Sequence, residues 1–433
     1  MTIEHDRTAA MADQSIPVHR AVPGTGGIDN ALALLAEGYR FIPRRCERLG
    51  SDIFTTRIML RQAVCMRGAE AARLFYTPDR FTRRRAIPPT VLMLLQDFGS
   101  TETLDGAAHR HRKALMMSLL TPDYQTRLVA CLAQAWRARF AAWPARHDVV
   151  LLREAEAALA DAACRWAGVP LASGELKQRT EELAAMVDAA GSFGPRNLRA
   201  QLLRQRCERW ARSLIDAVRG GRLQIDPGSA LAVIAQHRDH AGRLLETKVA
   251  AVELINLLRP TVAVARFIVF GALAMHQFPE WRERLATGDD AVLTMFAQEV
   301  RRYYPFFPAV GGRATGDFEW KGLRFAQGDW VLLDLYGTNH HPELWPAPRR
   351  FDPERFAAWR DDGHSLVAQG AGDYLNGHRC PGEPATVELV KSALHLLASE
   401  ARYRVPRQQL HISLSRMPTQ PASGMALDTR GFN

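Results

Sequence analysis

Lysine is scarce in this chain of 433 residues, confined to Lys113, Lys177, Lys248, Lys321 and Lys391, so arginine carries nearly all of the basic side, 56 Lys and Arg against 46 Asp and Glu. So lopsided a ratio reads as a composition bias, and no long basic run accompanies it. That argues against a nucleic-acid partner and for a solvated surface that mildly attracts anions. Cysteine is equally thin: Cys46, Cys65, Cys131, Cys164, Cys207 and Cys380 are scattered without framework spacing. A disulfide-built secreted scaffold is therefore excluded in favour of free thiols in a reducing cytoplasm. There is no uninterrupted apolar run of membrane length, because Glu253, Arg259 and Arg266 punctuate the most apolar window, 249–275. The chain is expected to be soluble, without stable membrane insertion. Glu4, Asp6 and Arg7 stand where a signal peptide needs an apolar run. Residues 1–16 read as a flexible tail. Length alone suggests about three domains, but no linker, repeat or low-complexity tract divides the chain, so 17–433 is expected to form one large domain.

What the chain does contain is a distinctive stretch from Gln369 to Glu388, Gln-Gly-Ala-Gly-Asp-Tyr-Leu-Asn-Gly-His-Arg-Cys-Pro-Gly-Glu-Pro-Ala-Thr-Val-Glu. Cys380 stands at the mouth of an expected helix, approached by Gly370, Gly372 and Gly377, with Pro381 and Pro384 where a first turn tolerates proline. Unpaired N–H groups and the positive end of a helix dipole would lower the pKa of a thiol placed there and donate to a metal-bound thiolate. No second Cys or His lies at zinc spacing, no Cys-x-x-Cys-His attaches a c-type haem, and a nucleophile would need a base that only His378 supplies locally. A merely buried thiol remains open at this point.

These residues resemble the cysteine-ligand loop of the cytochrome P450 superfamily. Gly-x-Gly-Asp followed by Gly-His-Arg-Cys-Pro-Gly-Glu is similar, more narrowly, to the bacterial fatty-acid peroxygenases driven by hydrogen peroxide. The general loop has Phe seven residues before the cysteine and Gly four before it, where this chain has Asp373 and Asn376. That departure fits the peroxygenase branch, and the resemblance runs from about Ile28 to the C-terminus. It implies a mainly α fold with small β-sheets, haem b held through Cys380, and His378 and Arg379 beside it on the cofactor.

Taken in order, Asp29 can cap a helix running to Leu49 and closed by Gly50. Segment 52–66 reads as paired strands, a short helix follows to Tyr76, and 77–105, with Pro78, Pro88, Pro89 and Gly99, reads as a long irregular connection. By resemblance that connection walls the active site. In the expected helix 106–120, His109 and Lys113 share a face. On their own they read as a solvent face; by resemblance they hold haem propionates. Helices are expected at about 123–142, 150–168, 173–190 and 196–219, with a hinge at Gly191–Pro195 between the last two.

A long helix is expected from Arg243 to Met275. Within it Arg259 sits among apolar neighbours, and Pro260 must cost a backbone bond and kink the helix. Oxygen-activating relatives carry an acid and an alcohol at these two places. The peroxygenases carry Arg-Pro, the arginine pairing with the substrate carboxylate. A bidentate guanidinium would leave the α and β carbons near the iron, and the bound carboxylate can serve as acid and base for peroxide. The resemblance thus implies long-chain fatty acid and hydrogen peroxide as partners, with no obligatory redox partner. A reductase-dependent monooxygenase would want the missing acid and alcohol, and a haem sensor would need no cationic anchor.

Glu299, Arg302 and Arg355 resemble the structural triad that supports the cysteine loop, although Glu-x-x-Arg alone is common. Phe306 and Phe307 would turn apolar side chains toward the pocket, 318–335 should form sheet, and 402–433 reads as a strand pair. Glu102 stands where relatives carry Gln or His, the His being associated with decarboxylation to an alkene. If it faces the site, burial should raise its pKa until it acts as a neutral donor.

Overall fold

A computed structural model describes residues 22–96, 99–147 and 149–431, so the tail expected over 1–16 lies outside the described residues. Asp29 does meet the first helix, its Oδ1 accepting from Ala31 N at 2.7 Å. The single helix expected to Leu49 is nevertheless two, α1 (Ala31–Glu37) and α2 (Phe41–Leu49). At Gly38, between them, φ is +56° and a Cβ would stand 2.1 Å from the Leu414 carbonyl oxygen. The passage of a distant loop therefore breaks the helix, which no local pattern could signal. Gly50 closes α2 in the left-handed conformation, as expected.

Strands β1 (Ile53–Ile58) and β2 (Arg61–Met66) pair antiparallel, followed by α3 (Ala69–Phe75). The connection 77–105 is less irregular than its prolines imply. It holds β3 (Phe81–Thr82), α4 (Pro89–Leu95) and a 3₁₀ turn over Thr101–Thr103. Pro89 starts α4, where a missing N–H costs nothing. Helices α5 (Gly106–Ser118) and α6 (Pro122–Ala142) follow, then β4 (Val149–Val150), α7 (Leu151–Ala167), α8 (Glu175–Asp188), α9 (Pro195–Arg219) and α10 (Ala230–Gln236).

The expected long helix starts late, at Thr247, because the Asp239 carboxylate accepts from the N–H groups of Ala241 and Arg243 and folds that segment into a turn. It then runs as α11 (Thr247–Ala263) and α12 (Ala265–Gln277). The interruption falls at Val264, one turn beyond Pro260, where Val264 N donates to Thr261 O at 3.2 Å, a 3₁₀ contact. This pair is long and apolar enough to cross a membrane, but most of it is buried inside the protein, as in a core helix.

Beyond it come α13 (Pro279–Ala286), α14 (Asp290–Tyr303), β5 (Ala309–Ala314), β6 (Phe318–Trp320), β7 (Leu323–Phe325), β8 (Trp330–Asp334), α15 (Leu335–Asn339), α16 (Glu383–Ser399) and β9 (Ala426–Leu427). The main sheet has the order β1-β2-β8-β5-β3, with β2 and β8 parallel. The strand pair expected over 402–433 reduces to β9, paired with β4, and two isolated bridges. The largest apolar core gathers α6 to α14 and α16 around α11 and α12. The fold is thus mainly α with small sheets in a single large domain, as expected.

Candidate active site

Cys380 stands just before α16. Its backbone N donates to Gln369 O at 3.1 Å, and its O accepts from Glu383 N at 3.3 Å. Gln369 Nε2 approaches the sulfur at 3.7 Å and donates to Thr386 Oγ1 at 3.0 Å, so this side-chain donor near the sulfur is itself held in place. The approach is tight where the glycines were noted: at Gly372, with φ +80°, a Cβ would stand 2.8 Å from Tyr76 Cβ. Below the loop, Glu383 takes the guanidinium of Arg379 at 2.6 Å and that of Arg301, while Arg379 also reaches Asp361 at 2.5 Å. Arg379 therefore spends its charge on the start of α16.

The thiol of Cys380 does not behave as its helix position suggests. Burial pushes its pKa up to about 11, with the Glu383 and Glu102 carboxylates adding to the rise, and Gly382 N–H and Lys113 opposing it. The expected lowering is therefore reversed, because the helix brings a carboxylate with its dipole and the sulfur has left water. A bound cation is what would make a thiolate here.

Beside the loop, the rings of His109 and His378 stand 3.9 Å apart, centre to centre. Lys113, 1% exposed, donates to Gly377 O at 2.7 Å and to Arg379 O. Burial chiefly lowers the His109 pKa to about 4, with the neighbouring His378 and Lys113 adding to the fall, so His109 is a neutral N–H donor. Glu102, on the 3₁₀ turn, lies 3.8 Å from His378 Nδ1. Burial pulls its pKa up, but the contact with His378, with Lys113 adding to it, outweighs that and holds it below the usual carboxylate range. Glu102 is thus an ionised acceptor, correcting the expected neutral donor. Arg83, unnoticed in the sequence, packs over Phe75 and Tyr76 at 4.1 and 5.0 Å and feels the same Glu102 charge.

These residues fit a haem. Among the described residues no cluster of three or more His, Cys, Asp or Glu could hold a bare metal ion, so a metal bound through Cys380 would take its other ligands from outside the protein, as a haem iron does. His378 Nδ1 is buried without a hydrogen-bond partner, and with Lys113 and His109 it suits an anionic cofactor edge.

On α11, Arg259 is 6% exposed, and its Nη1 donates to Asn256 Oδ1 at 3.1 Å and approaches Leu94 O at 3.5 Å. No carboxylate among the described residues lies within ion-pair distance of it. Burial, then the neighbouring Arg204 charge, lowers its pKa to about 9. Pro260 follows inside the helix. Arg266, which the helical pattern puts on the same face, pairs instead with Asp188 at 3.1 Å. Phe306 packs on Phe267 and Phe307 with centroids 4.8 and 4.6 Å apart, and Tyr39 Oη donates to its carbonyl at 2.5 Å.

Two supports escaped the sequence. Glu253, fully buried on α11, pairs with Arg112 at 2.7 Å and accepts from Thr101 N at 3.0 Å, fixing the turn that carries Glu102. Gln369 and Arg301 brace the cysteine loop. The triad residues do meet: Arg302 holds Glu299 in two contacts of 2.7 Å, and Arg355 Nε lies 3.2 Å from the same carboxylate.

A family model described as Cytochrome P450 matches residues 291–394, which include Glu299, Arg302, Arg355 and Cys380. A variant of cytochrome P450SP alpha (CYP152B1) superposes with a TM-score of 0.90 at 44% identity, covering 93% of this chain and 99% of its own. Cytochrome P450EX alpha (CYP152N1), solved with myristic acid, gives 0.90 at 40%, covering 94% and 98%. Cytochrome P450 4A7 of Oryctolagus cuniculus is 27% identical over 181 residues, 37% of this chain, and the chain spans 34% of that curated relative's length. With a lone thiol at the helix mouth and near-complete superposition at such identities, the chain belongs to the cytochrome P450 superfamily of haem-thiolate oxidoreductases, on the CYP152 branch of its solved neighbours.

Proposed function

We propose that the protein is a cytoplasmic, haem b-dependent peroxygenase that hydroxylates long-chain fatty acids at the α or β carbon with hydrogen peroxide, without an obligatory redox partner. The observation that carries this reading is Arg259, a buried guanidinium with a proline beside it and no carboxylate of the described chain to neutralise it. A buried cation of this kind is costly until an anion joins it. The myristic acid named with P450EX alpha is an anion of the right chemistry.

When bound, the haem supplies peroxide O–O cleavage and oxygen transfer, with the thiolate donating electron density to the iron. The protein's own residues do the rest. Cys380 would hold the iron, with Gln369 Nε2 close to its sulfur. His109, Lys113 and His378 would hold the anionic edge of the cofactor. Arg259 grips the substrate carboxylate and so fixes the near end of the chain, while Phe306 and Phe307 offer apolar wall. Pro260 contributes no hydroxyl and no N–H, so the proton that peroxide must exchange is carried by the carboxylate oxygen that Arg259 holds. Glu102, ionised, lies 3.8 Å from His378 Nδ1 on that side of the site.

The direct test is incubation of the purified haem protein with tetradecanoic acid and hydrogen peroxide, without NADPH or a reductase, followed by product identification. Hydroxy acids should dominate, since Glu102 stands where a histidine would favour the alkene. Turnover that appears only with NADPH and a reductase would defeat the proposal.

A further inference from the structure

Arg259 shares its carbonyl acceptor with a second buried arginine. Arg204, on α9, is 2% exposed, and its Nη1 donates to Leu94 O at 3.3 Å, the oxygen that Arg259 Nη1 approaches at 3.5 Å. The two nitrogens thus stand no further apart than those contacts combined. Arg204 Nε pairs with Glu208 at 2.9 Å, but Arg212 takes the same carboxylate at 3.0 Å. The remaining neighbour of Arg204 Nη1 is the Met186 sulfur at 3.7 Å, a weak acceptor. Arg204 Nη2 is buried with no hydrogen-bond partner.

Among the described residues the local charge does not balance. Arg204 shares the one carboxylate it pairs with, Glu208, with the partly exposed Arg212, and Arg259 pairs with none. Of the two carboxylates whose charge reaches Arg259, Glu253 is committed to Arg112 and Glu102 lies against His378. Two buried like charges that share one neutral carbonyl, with a donor left over, offer an anion charge and donors that the described residues do not use.

We infer that Arg204 and Arg259 form a two-arginine cradle for the substrate carboxylate, in which Leu94 O only holds the place of the incoming oxygens. The inference rests on the fatty-acid reading above and deepens it. Arg259 presents its fork to both oxygens, and Arg204 adds a donor through the group that is now unsatisfied. The second cation explains why the head group must be charged: an ester or alcohol would leave two buried guanidinium groups uncompensated, and that penalty, more than any added attraction, rejects neutral lipids.

The test is equilibrium binding of tetradecanoic acid and of its methyl ester to the holoprotein, read from the haem spectrum, for the wild type, Arg259→Met, Arg204→Met and the double variant Arg204→Met with Glu208→Gln. The double variant avoids leaving Glu208 short of a partner, and the ferrous carbonyl band checks that each protein is intact. The expected result is acid affinity lower by about tenfold or more in both Arg204 proteins, with ester affinity unchanged and the loss appearing in KM more than in kcat. Acid affinity within about twofold of wild type in the double variant, while Arg259→Met loses binding, overturns the cradle and leaves the fatty-acid reading standing. Equal binding of acid and ester by the wild type overturns both.

Discussion

Arg302 and Arg259 are both buried arginines on core helices, and their surroundings are opposite. Arg302, 0% exposed, meets Glu299 in two contacts of 2.7 Å and reaches the carbonyls of Asn339, Pro348 and Arg350 at 3.0, 2.9 and 3.2 Å. Its donors are all answered by the chain itself. Arg259 has an amide oxygen and a share of one carbonyl. On the reading proposed above, the difference separates a charge buried to hold the fold from a charge buried to receive a ligand. Burial and residue type are the same in both, so the decisive property is whether the chain supplies the counter-ion.

That distinction can be broken most easily at Arg302. Arg302→Met strands a fully buried Glu299 with Arg355 and the Asp352 N–H as its remaining partners. The expected cost is about 3–5 kcal/mol, seen as loss of haem-loaded protein on purification and a large fall in the denaturant midpoint. A loss under about 1 kcal/mol would mean that the network is not holding the fold.

A smaller effect is expected at Glu253, which shows that the site also contains paired, structural charge. Glu253→Gln keeps the contact to Thr101 but removes the counter-charge of Arg112. We expect about 1–3 kcal/mol of destabilisation and faster hydrogen exchange in the turn over Thr101–Thr103. Unchanged exchange there would show that the turn is held by something else.

How much of this was legible in the sequence follows the same division. Helices from α6 to α9 and the β1–β2 pair follow local periodicity, and the Cys380 loop and the Arg259-Pro260 step carry motifs that can be read in line. What the sequence hid are contacts between distant segments. Glu253 with Arg112, Arg301 with Glu383, and Arg204 with Arg259 are far apart in the chain, and nothing local marks them as partners. The split at Gly38 has the same origin in a remote carbonyl. The proton affinities of Cys380 and Glu102 came out reversed for different reasons. At the thiol burial is the largest cause, and Glu383 of the very helix that was expected to help adds to it, whereas His378 and Lys113 reach Glu102 from other segments.

The central claim is that Arg259 is a ligand-binding charge without a counter-ion among the described residues, and Arg259→Met tests it most directly. Its unfolding free energy and its affinity for tetradecanoic acid should be measured together in the haem-loaded protein. The account predicts stability equal to or above wild type, because an uncompensated buried cation is removed, with fatty-acid binding and peroxide-driven turnover lost. A variant destabilised by about 2 kcal/mol or more that still binds and oxidises the acid would contradict it.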